Sequence, residues 1–176
     1  VEKQKVRSLK GFGPKKEEKI LKAIEAYQQR PNRVLWSEAL FLAERLLSQL
    51  QELPFTEQAE IAGSLRRKKE TIKDIDLLVA TENVREVIHA IKQFPEMKEL
   101  LAEGTTKIHF LAEWEEVSLP VDVRFVTNEQ FASALHHFTG STDHNIRIRQ
   151  IGKKLGYKVN EYGMEDRSSG KMLTFE

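Results

Sequence analysis

The sequence predicts an α+β fold in which helices come first and a mixed β-sheet of about five strands, flanked by helices, follows. Three observations carry this. Two segments before residue 54 have apolar residues at helical spacing and end at Pro31 and Pro54. From 57 to 126 the pattern changes to short alternating or β-branched runs, interrupted by one amphipathic helix. The chain has 176 residues, 40% hydrophobic and 31% charged, enough for one packed domain with a small appendage.

The elements follow in order. "LKGFGPKKEEKILKAIEAYQQRP" reads as a glycine turn and a helix, with Pro14 in its first turn and Ile20, Leu21 and Ile24 as its apolar stripe. "NRVLWSEALFLAERLLSQLQELP" is a longer helix through Leu35, Ala39, Leu42, Ala43, Leu46 and Leu50. "EQAEIAG" and "DIDLLVAT" read as strands, and "VREVIHAIKQF" as the helix after them. "MKELLAEG", "KIHFLAEW" and "VSLPVDVRFV" are three more strands, the first of them also helical by propensity. "NEQFASALHHF" is a short helix capped by Asn128. "STDHNIRIRQIGKKLG" is another, with Ser141 as N-cap and Gly156 as C′ residue. "YKVNEY" and "KMLTFE" pair as a terminal hairpin. The expected division is 1–53, 54–138 and 139–176.

Composition narrows the functional classes. There is no cysteine, which excludes disulfides and cysteine zinc sites and favours a reducing, cytoplasmic setting. No apolar run reaches the roughly 18 residues of a membrane span, and "VEKQKVRSLK" has no apolar signal core. The net charge of +1 conceals two basic ends. Residues 1–33 hold ten Lys/Arg against four Asp/Glu, and 141–171 hold seven against four. Residues 82–118 hold four against eight. Basic ends suit phosphates, and equally suit a solvated surface. The five histidines have no familiar zinc spacing and read as surface or pocket residues.

Chemistry concentrates in "IAGSLRRKKETIKDIDLLVAT". Side chains alternate along a strand, so Asp74 and Asp76 share one face and Ile75 takes the other. Neighbouring carboxylates repel unless a divalent cation joins them, and oxygen donors suit magnesium or manganese. Asp122, in the apolar run "PVDVRFV", supplies a third carboxylate. Taken alone, Asp-x-Asp also fits a solvent face paired with Arg124 and Lys73. Gly63 and Ser64 just upstream change the balance, because a glycine and a hydroxyl at a strand-to-helix junction present donors to phosphate. Arg66, Arg67, Lys68 and Lys69 follow and offer charge-assisted bonds to a polyphosphate.

"GSLRRKKETIKDIDLLV" and "VDVRFVTNEQFASALHHFTGSTDHNIRIRQIGKKLGYKVNEYG" resemble the palm and early thumb of X-family DNA polymerases, the DNA polymerase β-like group, in its bacterial form. "LKGFGPKKEEKI" resembles the helix-hairpin-helix that precedes that palm, although an ordinary αα turn has the same pattern. The resemblance implies a nucleotidyltransferase palm at 54–138. The end of the fingers, with the hairpin and a connecting helix, would occupy 1–53, and the start of a partial thumb 139–176. It implies a DNA-directed DNA polymerase acting on gapped or primer-template DNA and dNTP, with two Mg2+ or Mn2+ ions held by Asp74, Asp76 and Asp122.

Nucleotide contacts carry to Gly63, Ser64, Arg67, His137, Phe138, Thr139, Gly140 and Asn145, and DNA contacts to Gly11, Gly13, Lys15, Lys16 and Arg149. A monovalent cation at the hairpin, a monomeric state and no membrane partner complete the implied picture. The chain departs from the family pattern at His137, where tyrosine is usual, at Lys68 for glycine, at Pro120 for arginine and at Thr142 for aspartate. A template-independent nucleotidyltransferase acting on RNA or a small molecule shares the Gly-Ser and Asp-x-Asp core. A non-catalytic DNA- or nucleotide-binding fragment is the reading from another class.

Overall fold

The computed structural model describes residues 33–173 and, before them, Gly13, Lys15, Lys16, Glu18 and Ile20. Contacts divide the chain into two units, Val1–Asn32 and Arg33–Glu176. In the first, the four residues after Gly13 named above are helical, and the Lys16 amide donates to the Gly13 carbonyl at 3.0 Å. Gly11 and most of the expected hairpin, with its cation site, lie outside the described residues.

The second unit begins with β1 (Val34–Leu35) and helix α1 (Trp36–Glu52). Next come β2 (Gln58–Ile61), a single helical turn α2 (Gly63–Arg66), β3 (Thr71–Ile72) and β4 (Ile75–Ala80). Helix α3 (Val84–Ile91) leads to β5 (Met97–Glu103), β6 (Lys107–Trp114) and β7 (Val117–Val126). A 3-10 turn (Asn128–Gln130) enters α4 (Phe131–Thr139), followed by α5 (Thr142–Lys154), β8 (Tyr157–Asn160), β9 (Gly163–Asp166) and β10 (Met172–Leu173).

Five strands form one mixed sheet in the order β2-β4-β7-β6-β5, the α+β architecture read from the sequence. Only the central pair, β4 and β7, is parallel. A parallel pair needs a crossover, and α3, β5 and β6 make it. The first face of the sheet carries Ile75, Leu77 and Val79, with Val121 and Val123 beside them, and is sealed by α1 and α3. The second face carries Asp76, Leu78 and Ala80 on β4 and Asp122, Arg124 and Val126 on β7. Phe131 and Ala134 of α4 pack there on Leu78 and Ala80, with Val126 beside them. The end bearing Asp76 and Asp122 is left without such a lid, and this uneven cover creates the site.

An ion pair between half-exposed Arg45 and buried Glu96 ties α1 to the segment just before β5. Glu96 is 1% exposed. It accepts from Arg45 Nε and Gln49 Nε2, both at 2.8 Å, and the Arg45 guanidinium lies 3.5 Å over the Trp114 ring. Burial works to raise the Glu96 pKa. Hydrogen bonds from Gln49, from its own backbone and from Arg45 outweigh that and hold it below the ordinary value.

Several boundaries differ from the sequence reading. The sequence groups α1 with the N-terminal section to residue 53, whereas its buried face of Ala39, Leu42, Leu46 and Leu50 belongs to the core of the second unit. The two residues before it form β1, which pairs with the unforeseen β3. Asn128 does not cap α4. Thr127 precedes the 3-10 turn, its amide donating to Gln130 Oε1, and the α-helix proper starts at Phe131. Ser141 does cap α5, accepting from the His144 amide, and Gly156 follows that helix at φ +86°. The terminal hairpin is a three-stranded ribbon instead. β9 separates the two expected partners and pairs with both β8 and β10, because Asn160 turns the chain after four residues by accepting from the amides of Tyr162 and Gly163. "MKELLAEG" is an edge strand, its ladder to β6 overriding helical propensity.

Candidate active site

Two adjacent strands set the centre of the site. β4 and β7 run parallel with Asp76 opposite Asp122, so both carboxylates leave the same face one strand apart. Asp74 lies just before β4 and is drawn to Lys73, its Oδ2 2.9 Å from Nζ. The three aspartates therefore share one end of the sheet, with two facing each other and the third held aside. Among the described residues, no three His, Asp or Glu side chains form a cage able to hold an ion unaided.

Crowding is visible in the charge balance. The Asp76 carboxyl is pushed up to about 6, first by burial and then by Asp74 and Asp122, while Arg124 and Lys73 pull the other way. Asp122 Oδ1 is buried and makes no hydrogen bond. His109 Nδ1, from the next strand, is 3.3 Å away, and Lys107 Nζ is 3.8 Å away. A crowded pair of carboxylates with a buried oxygen that makes no hydrogen bond fits a hard divalent cation, whose ligands are oxygens.

The Gly63–Ser64 turn sits against this pair. The Ala62 amide donates to the Asp76 carbonyl at 2.8 Å, closing β2 onto β4, and the chain then turns into α2 with Gly63 at φ +59°. A Cβ on Gly63 would lie 1.9 Å from Asp76 Oδ2, so the glycine makes room for the carboxylate. Ser64 Oγ is buried without a partner. Trp36 Nε1 donates to the Leu65 carbonyl at 2.9 Å and so pins α2 to α1. Of the basic residues after Ser64, Arg66 turns away to Glu60 at 3.1 Å, and Lys68 and Lys69 are exposed. Arg67 alone turns toward α4. Its Nη1 donates to the Thr139 carbonyl, and its Nε is buried without a partner.

The turn between α4 and α5 closes another side. Gly140 has φ +72°, and a Cβ there would lie 3.1 Å from Arg67 Nη1. Arg124 lies 4.6 Å over the Phe138 ring. His137 is held by α5: Asn145 Nδ2 donates to its carbonyl at 2.7 Å, and Arg149 Nη2 is 3.5 Å from its Nδ1. Its pKa is lowered, first by burial and then by Arg149, Arg124 and His136 against the opposing Glu161. Asn145 and Arg149 thus grip the end of α4 in this structure.

The structure brings Gly63, Ser64, Arg67, Gly140 and the aspartates into one region. Gly13, Lys15 and Lys16 belong to the other unit. A Cβ added at Gly13 meets nothing within 4 Å among the described residues. Sequence reasoning read His109 as one of five surface or pocket histidines, with no role at the aspartates, and did not single out Lys107. Alternation along "KIHFLAEW" puts both on the face opposite Ile108 and Phe110, yet only the register of β6 on β7 sets His109 opposite Asp122.

Known proteins resemble this sequence. The family model for the DNA polymerase beta thumb matches residues 134–176. The DNA polymerase/3'-5' exonuclease PolX of Bacillus subtilis (strain 168) is 42% identical over 174 residues, which is 99% of this chain and 30% of that protein. Repair DNA polymerase X of African swine fever virus (strain Badajoz 1971 Vero-adapted) is 33% identical over 106 residues, covering 58% of this chain and 60% of the viral protein. The chain thus spans less than two thirds of either relative. Nearly the whole chain is thus similar to one stretch of a bacterial X-family DNA polymerase, and its C-terminal quarter to the DNA polymerase beta thumb.

Proposed function

We propose that this chain carries the palm and early thumb of a DNA-directed DNA polymerase, with the helix-hairpin-helix before them. The reaction is nucleotidyl transfer from a dNTP to a DNA 3′-hydroxyl, in gap-filling repair. The observation that carries this reading is the in-register pair Asp76 and Asp122 against the Gly63–Ser64 turn. Both relatives are named polymerases, one of them a repair polymerase.

The oxygen donors Asp74, Asp76 and Asp122 would hold Mg2+ or Mn2+, two ions per site, with Asp74 leaving Lys73 to take part. Such ions supply charge neutralisation at the attacking and leaving oxygens. The Asp122 carboxylate accepts the 3′-hydroxyl proton. Ser64 Oγ and the Gly63–Ser64 amides face the triphosphate, and Arg67 exchanges its Thr139 carbonyl for a phosphate oxygen. Phe138, Gly140 and His137 border the sugar, and Asn145 and Arg149 the base and template. Gly11, Gly13, Lys15 and Lys16 meet a backbone phosphate, which carries no sequence information.

The test is primer extension on one-nucleotide-gap DNA with Mg2+ or Mn2+, beside a gel shift. Extension that Asp76→Asn and Asp122→Asn both abolish supports the reading. DNA binding with no extension in either metal overturns catalysis by this chain.

A further inference from the structure

We propose that His109 is the positioning residue for Asp122. Its Nδ1–H donates to the carboxylate and fixes the rotamer that faces Asp76. The inference rests on the reading of Asp122 as a metal-binding carboxylate.

The register of β6 on β7 sets His109 directly opposite Asp122, with Nδ1 3.3 Å from Oδ1. Each of these two atoms is buried, and neither has a hydrogen-bond partner in the present orientation. Two buried polar atoms this close, both unsatisfied, are strongly driven to satisfy one another. The other neighbours cannot take this role. Pro120, two residues back on the same face, has no donor. Arg124, two residues on, is stacked on Phe138. Lys107 is a flexible point charge, 45% exposed, at 3.8 Å.

The imidazole ring carries its donor in a fixed direction, so it holds the carboxylate in one orientation. Groups that hold a metal-binding side chain in this way typically matter about 10–100-fold in metal affinity.

The test uses the whole 176-residue chain, with His109→Leu, His109→Asn and Asp122→Asn. Asparagine can place an amide N–H where Nδ1–H stands, and leucine cannot. In metal-free protein, 15N NMR of His109 should show a proton on Nδ1, with that signal moved by Asp122→Asn. In Mn2+ titrations followed by EPR, without DNA or nucleotide, His109→Leu should weaken binding by about 10-fold or more, and His109→Asn should restore most of it. In primer extension, His109→Leu should lower kcat and leave the dNTP KM nearly unchanged.

A ring protonated only at Nε2 overturns the proposal, and so does wild-type Mn2+ affinity in a folded His109→Leu. If Asp122→Asn also leaves Mn2+ affinity unchanged, the metal reading of the site falls with it. If only His109→Leu is silent, the site reading stands and the role of His109 does not. Should His109→Leu fail to fold, the NMR of the wild-type ring decides, because it needs neither metal nor activity.

Discussion

Gly63 and Asp76 interlock: the hydrogen that glycine carries in place of a side chain faces Asp76 Oδ2, and a methyl carbon there would come within 1.9 Å of it. Gly63 also has φ +59°, a conformation that costs other residues about 1–2 kcal/mol. Gly63→Ala is therefore expected to displace the carboxylate as well as strain the turn. Primer extension should fall by roughly tenfold or more, and thermal unfolding should come earlier. Extension near the wild-type level would show that the turn shifts freely.

Asp76 gives a pH signature in the metal-free protein. Its native pKa of about 6 lies above the ordinary 3.8, so between those values the native state binds more protons than the unfolded chain. Stability from this group falls as pH rises through that window, and its full cost is present above it. Asp76→Asn should raise unfolding free energy by roughly 1–3 kcal/mol at pH 8 and not at pH 3. Urea unfolding in EDTA at both pH values reads this out. Added Mn2+ should remove the advantage of the variant.

Arg67 is the one basic residue of its run that turns toward Thr139. Arg67→Ala is expected to weaken triphosphate binding by roughly 1.5–3 kcal/mol, the scale of a hydrogen bond to a charged group. Calorimetry with a dNTP measures it. Unchanged affinity in a wild type that binds measurably would assign the arginine to holding the α4–α5 turn alone.

Removing Arg45 leaves Glu96 buried with Gln49 but without its cation. Arg45→Ala should cost about 3 kcal/mol in urea unfolding at neutral pH. The Glu96 pKa is held low, so its contribution is present above the ordinary value of 4.5 and is lost as pH falls through the native one. The difference between wild type and variant should shrink accordingly in acid.

For the hairpin, Lys15→Ala/Lys16→Ala should weaken DNA binding and flatten its salt dependence, because fewer counterions are released. Equal affinity and slope in a salt titration would make this segment a structural turn.

Most of the architecture was legible because two periodicities separate cleanly. Leu42, Leu46 and Leu50 repeat as a helix does, while Val121, Val123 and Phe125 repeat as a strand does. The aspartates stood out for the opposite reason, being charges inside apolar runs. What stayed hidden depends on partners far along the chain. β1 and β3 have two residues each, too few for any period, and exist only through each other. Glu96 looks like any surface acid until Arg45 and Gln49 enclose it. His109 gains its meaning from a register that no local pattern encodes.

The parallel ladder of β4 and β7 also dictates where this chain can change length. Asp76 and Asp122 meet because their strands are paired residue for residue. One residue inserted within Val117–Val126 ahead of Asp122 would turn that aspartate into the apolar layer and bring a valine to the surface in its place. Insertions in the turn at Glu115–Glu116, or between α3 and β5, leave every rung of that ladder in step. Lineages of this fold are therefore free to lengthen their loops across the crossover, while the two strands that frame it must be copied without a gap.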